Sequence, residues 1–111
     1  MKSSLKTEVV DDQRIVFLVG SVNAQNSANV LENVEAAAEG WVEKTVILSL
    51  AKVDYISSAA LRIFMQLWQA AKGCDCELIL AEPTPAVLEV LEMTGFQNIF
   101  RIIQNLEEAS R

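Results

Sequence analysis

The chain has 111 residues, 51% of them hydrophobic and 22% charged, with a formal net charge of −6 at pH 7. This length and composition are those of one folded domain with a hydrophobic core, and they exclude a disordered chain. The acidic balance and scattered Lys and Arg residues argue against nucleic acid and anionic membranes as partners, since both bind basic patches. Because Met1–Lys6 lacks an apolar core segment and no apolar run approaches membrane-spanning length, we expect a cytoplasmic protein.

The first elements in chain order are predicted to be a β-hairpin and a helix. Lys6–Val10 is expected to be a short edge strand and Arg14–Val19 an apolar second strand. The polar turn between them, at residues 11–13, implies antiparallel pairing. A helix is predicted to open at Asn23 and to end near Gly40. Its apolar side chains recur at three- and four-residue spacing: Ala28, Leu31, Val34, Ala38 and Trp41.

The middle of the chain predicts a central strand and an unusually apolar helix. Thr45–Leu50 reads as the third strand, and the second helix is predicted over Ser58–Lys72. One side of this helix is apolar: Leu61, Phe64, Met65, Trp68 and Ala71. A narrow polar stripe lies on the other side: Arg62, Gln66, Gln69 and Lys72. Ile63 and Leu67 fall between the two stripes, so the helix is either buried on two sides or partly a docking surface.

The last third predicts strand, helix, strand and a final helical turn. A fourth strand is expected over Glu77–Leu80, and the third helix has Thr84 as N-cap, Pro85 in its first turn and Gly95 as C-cap. A short strand at Ile99–Ile103 and a capped turn at residues 105–108 follow. Strands and helices alternate from the second strand on, which implies parallel pairing. We therefore predict a single α/β domain over residues 1–111, with a mixed four- to five-stranded sheet and about four helices.

Catalytic and metal-binding patterns are missing from the sequence. There is no His residue, which removes the commonest general base and transition-metal ligand. Cys74 and Cys76 alone cannot complete a tetrahedral metal site, and the acidic residues beside them disfavour a reactive thiolate. No Gly-rich phosphate loop is present. The sequence predicts a protein that is not an enzyme and that has neither a metal site nor a cofactor.

Three aspartates raise a receiver-domain alternative. In receiver domains of two-component systems an acidic pair and a phospho-accepting aspartate together hold Mg²⁺, and Asp11, Asp12 and Asp54 match this set loosely. Here, however, the acidic pair leads into a strand and not into a helix. A receiver also needs Lys-Pro after its last strand, where this chain has Gln104-Asn105. A solvated turn is the better interpretation of Asp11-Asp12.

Ser57 and Ser58 stand at the junction between the central strand and the second helix. A hydroxyl at this point meets the unpaired N–H groups and the positive dipole end of the helix. The same environment accommodates a phosphate group. The pair is therefore either a helix cap alone or a cap beside a phosphorylation switch.

Residues 53–62, with the sequence VDYISSAALR, resemble the signature of STAS domains, in particular bacterial anti-sigma factor antagonists. That signature is an aromatic, an aliphatic, Asp or Ser, Ser, a small residue, Gly and Leu. Two weaker stretches agree in order: Gly20–Asn23 before the first helix, and residues 91–100 near the end. The resemblance covers nearly the whole chain and implies a STAS-type fold.

The resemblance implies a function in regulating transcription by partner switching. In this family Ser58 is the position phosphorylated by a serine kinase that is also the anti-sigma factor. The unphosphorylated antagonist binds the kinase and so frees a sigma factor, phosphorylation breaks the complex, and a metal-dependent serine phosphatase restores it. The alternative within the family is a constitutive scaffold module in a signalling or lipid-transport assembly, in which Ser58 is never phosphorylated.

The chain departs from the family pattern at three positions near this serine. Ser57 and Asn23 stand where relatives often carry Asp, and Ala60 stands where the family has Gly, so its methyl group could narrow the approach of a partner backbone. We expect Ser57 to be the N-cap and Ser58 to be the switch. The expected partner-binding surface of this monomer or weak dimer consists of Asn23, Ser57, Ser58, Arg62, Ile63, Gln66 and Met93.

Overall fold

Five strands form one mixed sheet whose spatial order follows the chain order. The computed structural model describes residues 4–10 and 13–110. The strands are β1 Ser4–Val10, β2 Gln13–Val19, β3 Thr45–Lys52, β4 Glu77–Ala81 and β5 Arg101–Ile103. β1 pairs antiparallel with β2, and every later neighbour is parallel. The predicted α/β fold with an N-terminal hairpin is confirmed, while the predicted turn at Asp11-Asp12 lies outside the described residues.

Three α-helices connect the strands of the described chain. They are α1 Ser27–Ala38, α2 Ser58–Gly73 and α3 Pro85–Met93. Short 3₁₀ helices add Glu39–Trp41, Phe96–Asn98 and Leu106–Ser110. The fourth helix expected at the C-terminal end is the last of these 3₁₀ helices. Asn105 and Glu108 cap it reciprocally, since the side chain of each accepts a hydrogen bond from the backbone N–H of the other.

The first helix is shorter at both ends than its apolar spacing predicts. It starts at Ser27 because the side-chain oxygen of Asn23 accepts hydrogen bonds from the N–H groups of Gln25 and Asn26, which forms a turn first. At the other end Glu39, Gly40 and Trp41 have φ angles of 48°, 79° and 59°. These left-handed conformations end the helix, so Trp41 is buried without lying on it.

The last strand is also shorter than predicted. The N–H groups of Ile99 and Phe100 both donate to the carbonyl of Phe96, which keeps the first two residues of the expected strand in a tight turn. The strand therefore begins at Arg101. Gly95, expected as the C-cap of α3, lies one residue beyond the C-cap Thr94 and has a φ of 77°.

All three α-helices pack on one face of the sheet. β2 to β5 lie side by side in chain order, and the connections between such parallel strands are all right-handed. Each connecting helix therefore lies on the same face of the sheet. Alternate strand residues such as Leu48 and Leu80 meet the helices there in one core cluster. Phe64 and Leu67 of α2 are fully buried in this cluster. Burial on two sides, one of the two alternatives for α2, is confirmed for the residues between its stripes, since Ile63 is buried as well as Phe64 and Leu67.

The opposite face of the sheet has a thinner cover. Its buried residues are Ile15, Ile47, Ile79, Ala81 and Ile103, with Leu106 of the C-terminal 3₁₀ helix packed against them. Beside this cluster lies a depression of about 400 Å³, lined in part by Phe17, Ser49, Lys52 and Glu82. None of the residues predicted to bind a partner lines it.

An ion-pair cluster fixes the segment that follows α1. The guanidinium of Arg14 on β2 donates to carboxylate oxygens of Glu39 at 2.9 Å and Glu43 at 2.7 Å. The side chains of Arg14 and Glu43 are only 11% and 12% exposed. The hydrogen bond from Arg14 lowers the pKa of the Glu43 carboxyl and the same bond raises the pKa of Arg14. Glu39, the first of the left-handed residues, is thus tied to the sheet.

We expect Glu43→Gln to lower the free energy of unfolding by about 2 kcal/mol at pH 7, because the nearly buried guanidinium of Arg14 then meets a neutral amide and loses a charged partner. The folded-state pKa of Glu43 is lowered, so its stabilisation is present above the unfolded pKa. It is lost as the pH falls below about 4.3, the ordinary pKa of Glu. Urea unfolding at several pH values should show the difference between variant and wild type shrinking in acid. Glu35→Gln, on the exposed face of α1, is the control, and parallel pH curves for both variants would contradict the assignment.

Candidate functional site

Ser57 and Ser58 lie at the carboxyl edge of the sheet, between the end of β3 and the start of α2. The segment before them is paired with the loop that follows β2. The N–H of Val22 donates to the carbonyl of Tyr55 at 2.9 Å, and the N–H of Ser57 donates to the carbonyl of Val22 at 3.0 Å. Val22 and Ile56 form an isolated parallel bridge and are both buried. The serines therefore stand on a backbone fixed by two distant stretches of chain.

The two serines have different surroundings. Ser57 is the N-cap of α2, with its Oγ accepting a hydrogen bond from the N–H of Ala60 at 3.4 Å. Ser58 is exposed, and its side chain makes no hydrogen bond to any residue that the structure describes. Ala60 is fully buried, so its methyl group faces the core and does not narrow the approach of a partner. The expectation drawn from the Gly of the family pattern was wrong on this point.

Ser57→Ala is expected to lower the free energy of unfolding by about 1 kcal/mol, because one N–H group of the first helical turn loses its acceptor. Ser58→Ala, one residue away on the exposed surface, should change it by less than about 0.5 kcal/mol. Ser57→Asp should be at least as stable as the wild type, since a carboxylate caps and also interacts favourably with the helix dipole. Urea unfolding of the three variants checks this. Equal losses for Ser57→Ala and Ser58→Ala would show that the cap contributes nothing.

Asn23 holds the neighbouring loop in place. Its N–H donates to Oδ1 of Asn26 at 2.8 Å, while its own Oδ1 accepts from the N–H of Asn26 at 3.1 Å. Asn26 also donates from Nδ2 to the carbonyl of Ser21 at 2.8 Å. Because Val22 pairs with Ile56, Asn23 follows in register beside Ser57. Asn26 was missed from the sequence, although the Asn-x-x-Asn spacing resembles that of a capping box.

Arg62 and Gln66 lie on the same side of α2 as Ser58, one and two turns further along, and both are exposed. Ile63 has to be removed from the predicted surface, because it is 5% exposed and packs in the core. That burial follows from α2 packing on two sides.

Met93 is exposed but lies elsewhere. Oγ1 of Thr84, the N-cap of α3, donates to the carbonyl of Val53 at 3.1 Å, which places the start of α3 beside the site segment. Met93 is the last residue of that helix, about 12 Å along its axis. Because α3 connects the parallel strands β4 and β5, it runs back from the carboxyl edge of the sheet, where Ser58 lies. Met93 at its end is 79% exposed but does not lie next to Ser58.

Tyr55 is a surface residue that the sequence reasoning did not single out. Tyr55 is 55% exposed, while the apolar residues of the same segment, Val53 and Ile56, are buried. Exposed aromatic side chains contribute strongly to protein interfaces. The signal available in the sequence was the aromatic position of the motif itself, three residues before Ser58.

The described residues offer little for catalysis or metal binding near this site. They contain no group of three or more His, Cys, Asp or Glu residues that could hold a metal ion. Asp54 is exposed, and Asp11 and Asp12 lie outside the described residues, but the residues after them form the strand β2 where a receiver domain has a helix, which argues against the receiver alternative. Cys74 and Cys76 are both free, and burial raises the pKa of the Cys76 thiol. Within the described ranges, every helix is too short or too polar to cross a membrane.

Comparison with known proteins gives one consistent result. The model of the STAS domain family matches residues 4–109. The chain is 38% identical over 106 residues to a protein named as an anti-sigma factor antagonist, BtrV of Bordetella bronchiseptica, covering 96% of this chain and 90% of BtrV. The crystal structure of a Thermotoga maritima protein that is named as an anti-sigma factor antagonist aligns with a TM-score of 0.87 at 22% identity, covering 96% of this chain and 91% of that one.

Structures of SpoIIAA from Bacillus are similar in fold. The unphosphorylated form aligns with a TM-score of 0.76 at 17% identity, covering 96% of this chain and 92% of SpoIIAA. The phosphorylated form aligns with a TM-score of 0.69 at 16% identity, covering 96% of both chains. At such identities the likeness concerns the fold alone.

Proposed function

Since the chain belongs to the STAS domain family, we propose that it is an anti-sigma factor antagonist that is switched by phosphorylation of Ser58. The observation that carries the proposal is the exposed hydroxyl of Ser58 at the first position of α2, beside a cap that Ser57 alone provides. Unphosphorylated, the protein binds a serine kinase that is also the anti-sigma factor. Phosphorylation releases it, and a serine phosphatase reverses the modification.

The position of Ser58 suits a phosphoryl group without unfolding the domain. The modified oxygen would lie at the N-terminus of α2, where the free N–H groups and the helix dipole favour negative charge. Because Ser57 supplies the cap, modification of Ser58 removes no hydrogen bond found among the described residues. A phosphate adds about two negative charges to one surface patch, and a partner surface matched to a neutral hydroxyl would then face repulsion and desolvation.

The relatives support this function at the level of the family. BtrV, which is 38% identical to this chain, carries the name of an anti-sigma factor antagonist. SpoIIAA, which shares the fold, exists in phosphorylated and unphosphorylated structures. The partner-binding surface that we propose for this chain is centred on Ser58 and includes Asn23, Tyr55, Ser57, Arg62 and Gln66.

A kinase assay with two matched variants tests the proposal. The purified protein is incubated with ATP and the purified serine kinase encoded nearest to its gene, and phosphorylation is followed by intact mass. We expect wild type and Ser57→Ala to gain one phosphoryl group and Ser58→Ala to gain none. Binding to the kinase without phosphorylation of any serine would favour the constitutive scaffold, and loss of the phosphoryl group only in Ser57→Ala would move the switch to the other serine.

A further inference from the structure

The outward face of α2 differs in charge from the other helical faces of the described chain. α2 contains no Asp or Glu, and its exposed polar side chains are Ser58, Arg62, Gln66, Gln69 and Lys72, which we call the α2 face. By contrast, the exposed side of α1 carries Glu32 and Glu35, and that of α3 carries Glu89 and Glu92. A carboxylate-free face is notable in a chain with 15 acidic and nine basic residues.

Arg62 is the cation on this face that has no partner in the described part of the protein. Arg14 is bound by two carboxylates, and Arg101 donates to the carbonyl of Glu108. Arg62 makes neither a hydrogen bond nor an ion pair with a described residue, and it is exposed. At the other end of the face, about 15 Å further along the helix, Nζ of Lys72 lies 4.7 Å from the centroid of the Trp68 ring.

We propose that the α2 face binds an acidic surface of the partner protein, with Arg62 as the contact cation nearest to the switch. This inference rests on the proposed function, and it names the chemistry of the partner at the same site. Complementary charge orients protein association, while like charges suppress wrong orientations. The carboxylates on α1 and α3 therefore repel an acidic partner from the neighbouring surfaces and leave α2 as the surface it can approach. Two cations are too few for nucleic acid or an anionic bilayer, which need several basic contacts.

The same arrangement couples the α2 face to the modification. Ser58 and Arg62 are separated by four residues, the spacing at which oppositely charged side chains on a helix pair. A phosphate on Ser58 therefore acts in two ways that both weaken binding. It repels the partner's carboxylates directly, and it pairs with the guanidinium that would otherwise contact them.

Charge-reversal variants of the full chain test the α2 face by calorimetric titration with the purified serine kinase. We expect Arg62→Glu to weaken binding about 30-fold or more and Lys72→Glu about 10-fold. The control is Lys44→Glu, an equal charge change at an exposed residue before β3, which should weaken binding by less than about threefold. Because Arg62 has no described partner within the chain, its variants should fold, and urea unfolding verifies this.

The outcomes separate the inference from the function on which it rests. Equal weakening by Arg62→Glu and Lys44→Glu would overturn the α2 face, while the binding of the wild-type protein would still support the antagonist function. A wild-type protein that does not bind the kinase would overturn both. Arg62-dependent binding to phosphatidylserine vesicles or to duplex DNA, in place of the kinase, would overturn the assignment of an acidic protein surface. The proposal is supported only if Arg62→Glu and Lys72→Glu weaken binding to the kinase while Lys44→Glu leaves it nearly unchanged.

Discussion

Ser58→Glu is expected to weaken binding to the anti-sigma factor kinase by about a thousandfold, which corresponds to about 4 kcal/mol. The carboxylate places a charge at the centre of the proposed surface, where the hydroxyl of Ser58 is exposed and makes no hydrogen bond to the described chain. A buried like-charge contact and its desolvation supply a penalty of this size. Calorimetric titration of the variant with the kinase measures the loss.

Ser58→Ala is the matched control for this charge. It removes the hydroxyl without adding charge, so we expect binding within about tenfold of the wild-type protein. Both variants should have the same urea midpoint of unfolding as the wild-type protein, because Ser57 still caps α2. Binding of Ser58→Glu at wild-type affinity would contradict the switch, and equal losses in both variants would show that the hydroxyl, and not the charge, determines affinity.

Phe64→Ala is expected to lower the free energy of unfolding by about 3 to 5 kcal/mol. Phe64 is a large side chain with no exposed surface, in the core cluster that joins α2 to the sheet. Truncation leaves a cavity, and the loss is a large fraction of the 5 to 15 kcal/mol typical of a domain. Urea unfolding followed by circular dichroism measures it. Gln66→Ala, two residues along the same helix but exposed, should change stability by less than about 0.5 kcal/mol, and similar losses in both would contradict this packing.

The fold could be predicted from the sequence where local chemistry determined the structure. The hairpin follows from a short edge strand and an apolar strand around a polar turn, and α3 follows from Thr84 and Pro85. The start of α1 could not be predicted by apolar spacing, because the reciprocal bonds of Asn23 and Asn26 form a competing turn. Its end near Gly40 was predicted, although the left-handed Glu39, which Arg14 holds from a distant strand, closes the helix one residue earlier.

The candidate site was predictable in its centre but not in its extent. The motif and the junction between strand and helix correctly placed Ser57 and Ser58 at the start of α2. Helical spacing could not show that Ile63 is buried, because the second packing surface of α2 comes from elsewhere in the chain. Met93 was misplaced for a related reason, since only the tertiary structure shows the direction in which α3 leaves the site.

The backbone pairing of Val22 with Tyr55 and Ser57 has a consequence for how a kinase finds its substrate. The chain around Ser58 is held by hydrogen bonds to a loop more than 30 residues earlier in the sequence. A short peptide with the sequence of the serine motif lacks that loop, so the hydrogen bonds that fix this conformation cannot form in it. The kinase would therefore recognise the folded shape around Ser58 and not a linear sequence motif. Its specificity could not be deduced from the sequence around the serine alone, and unfolded antagonist would not be phosphorylated.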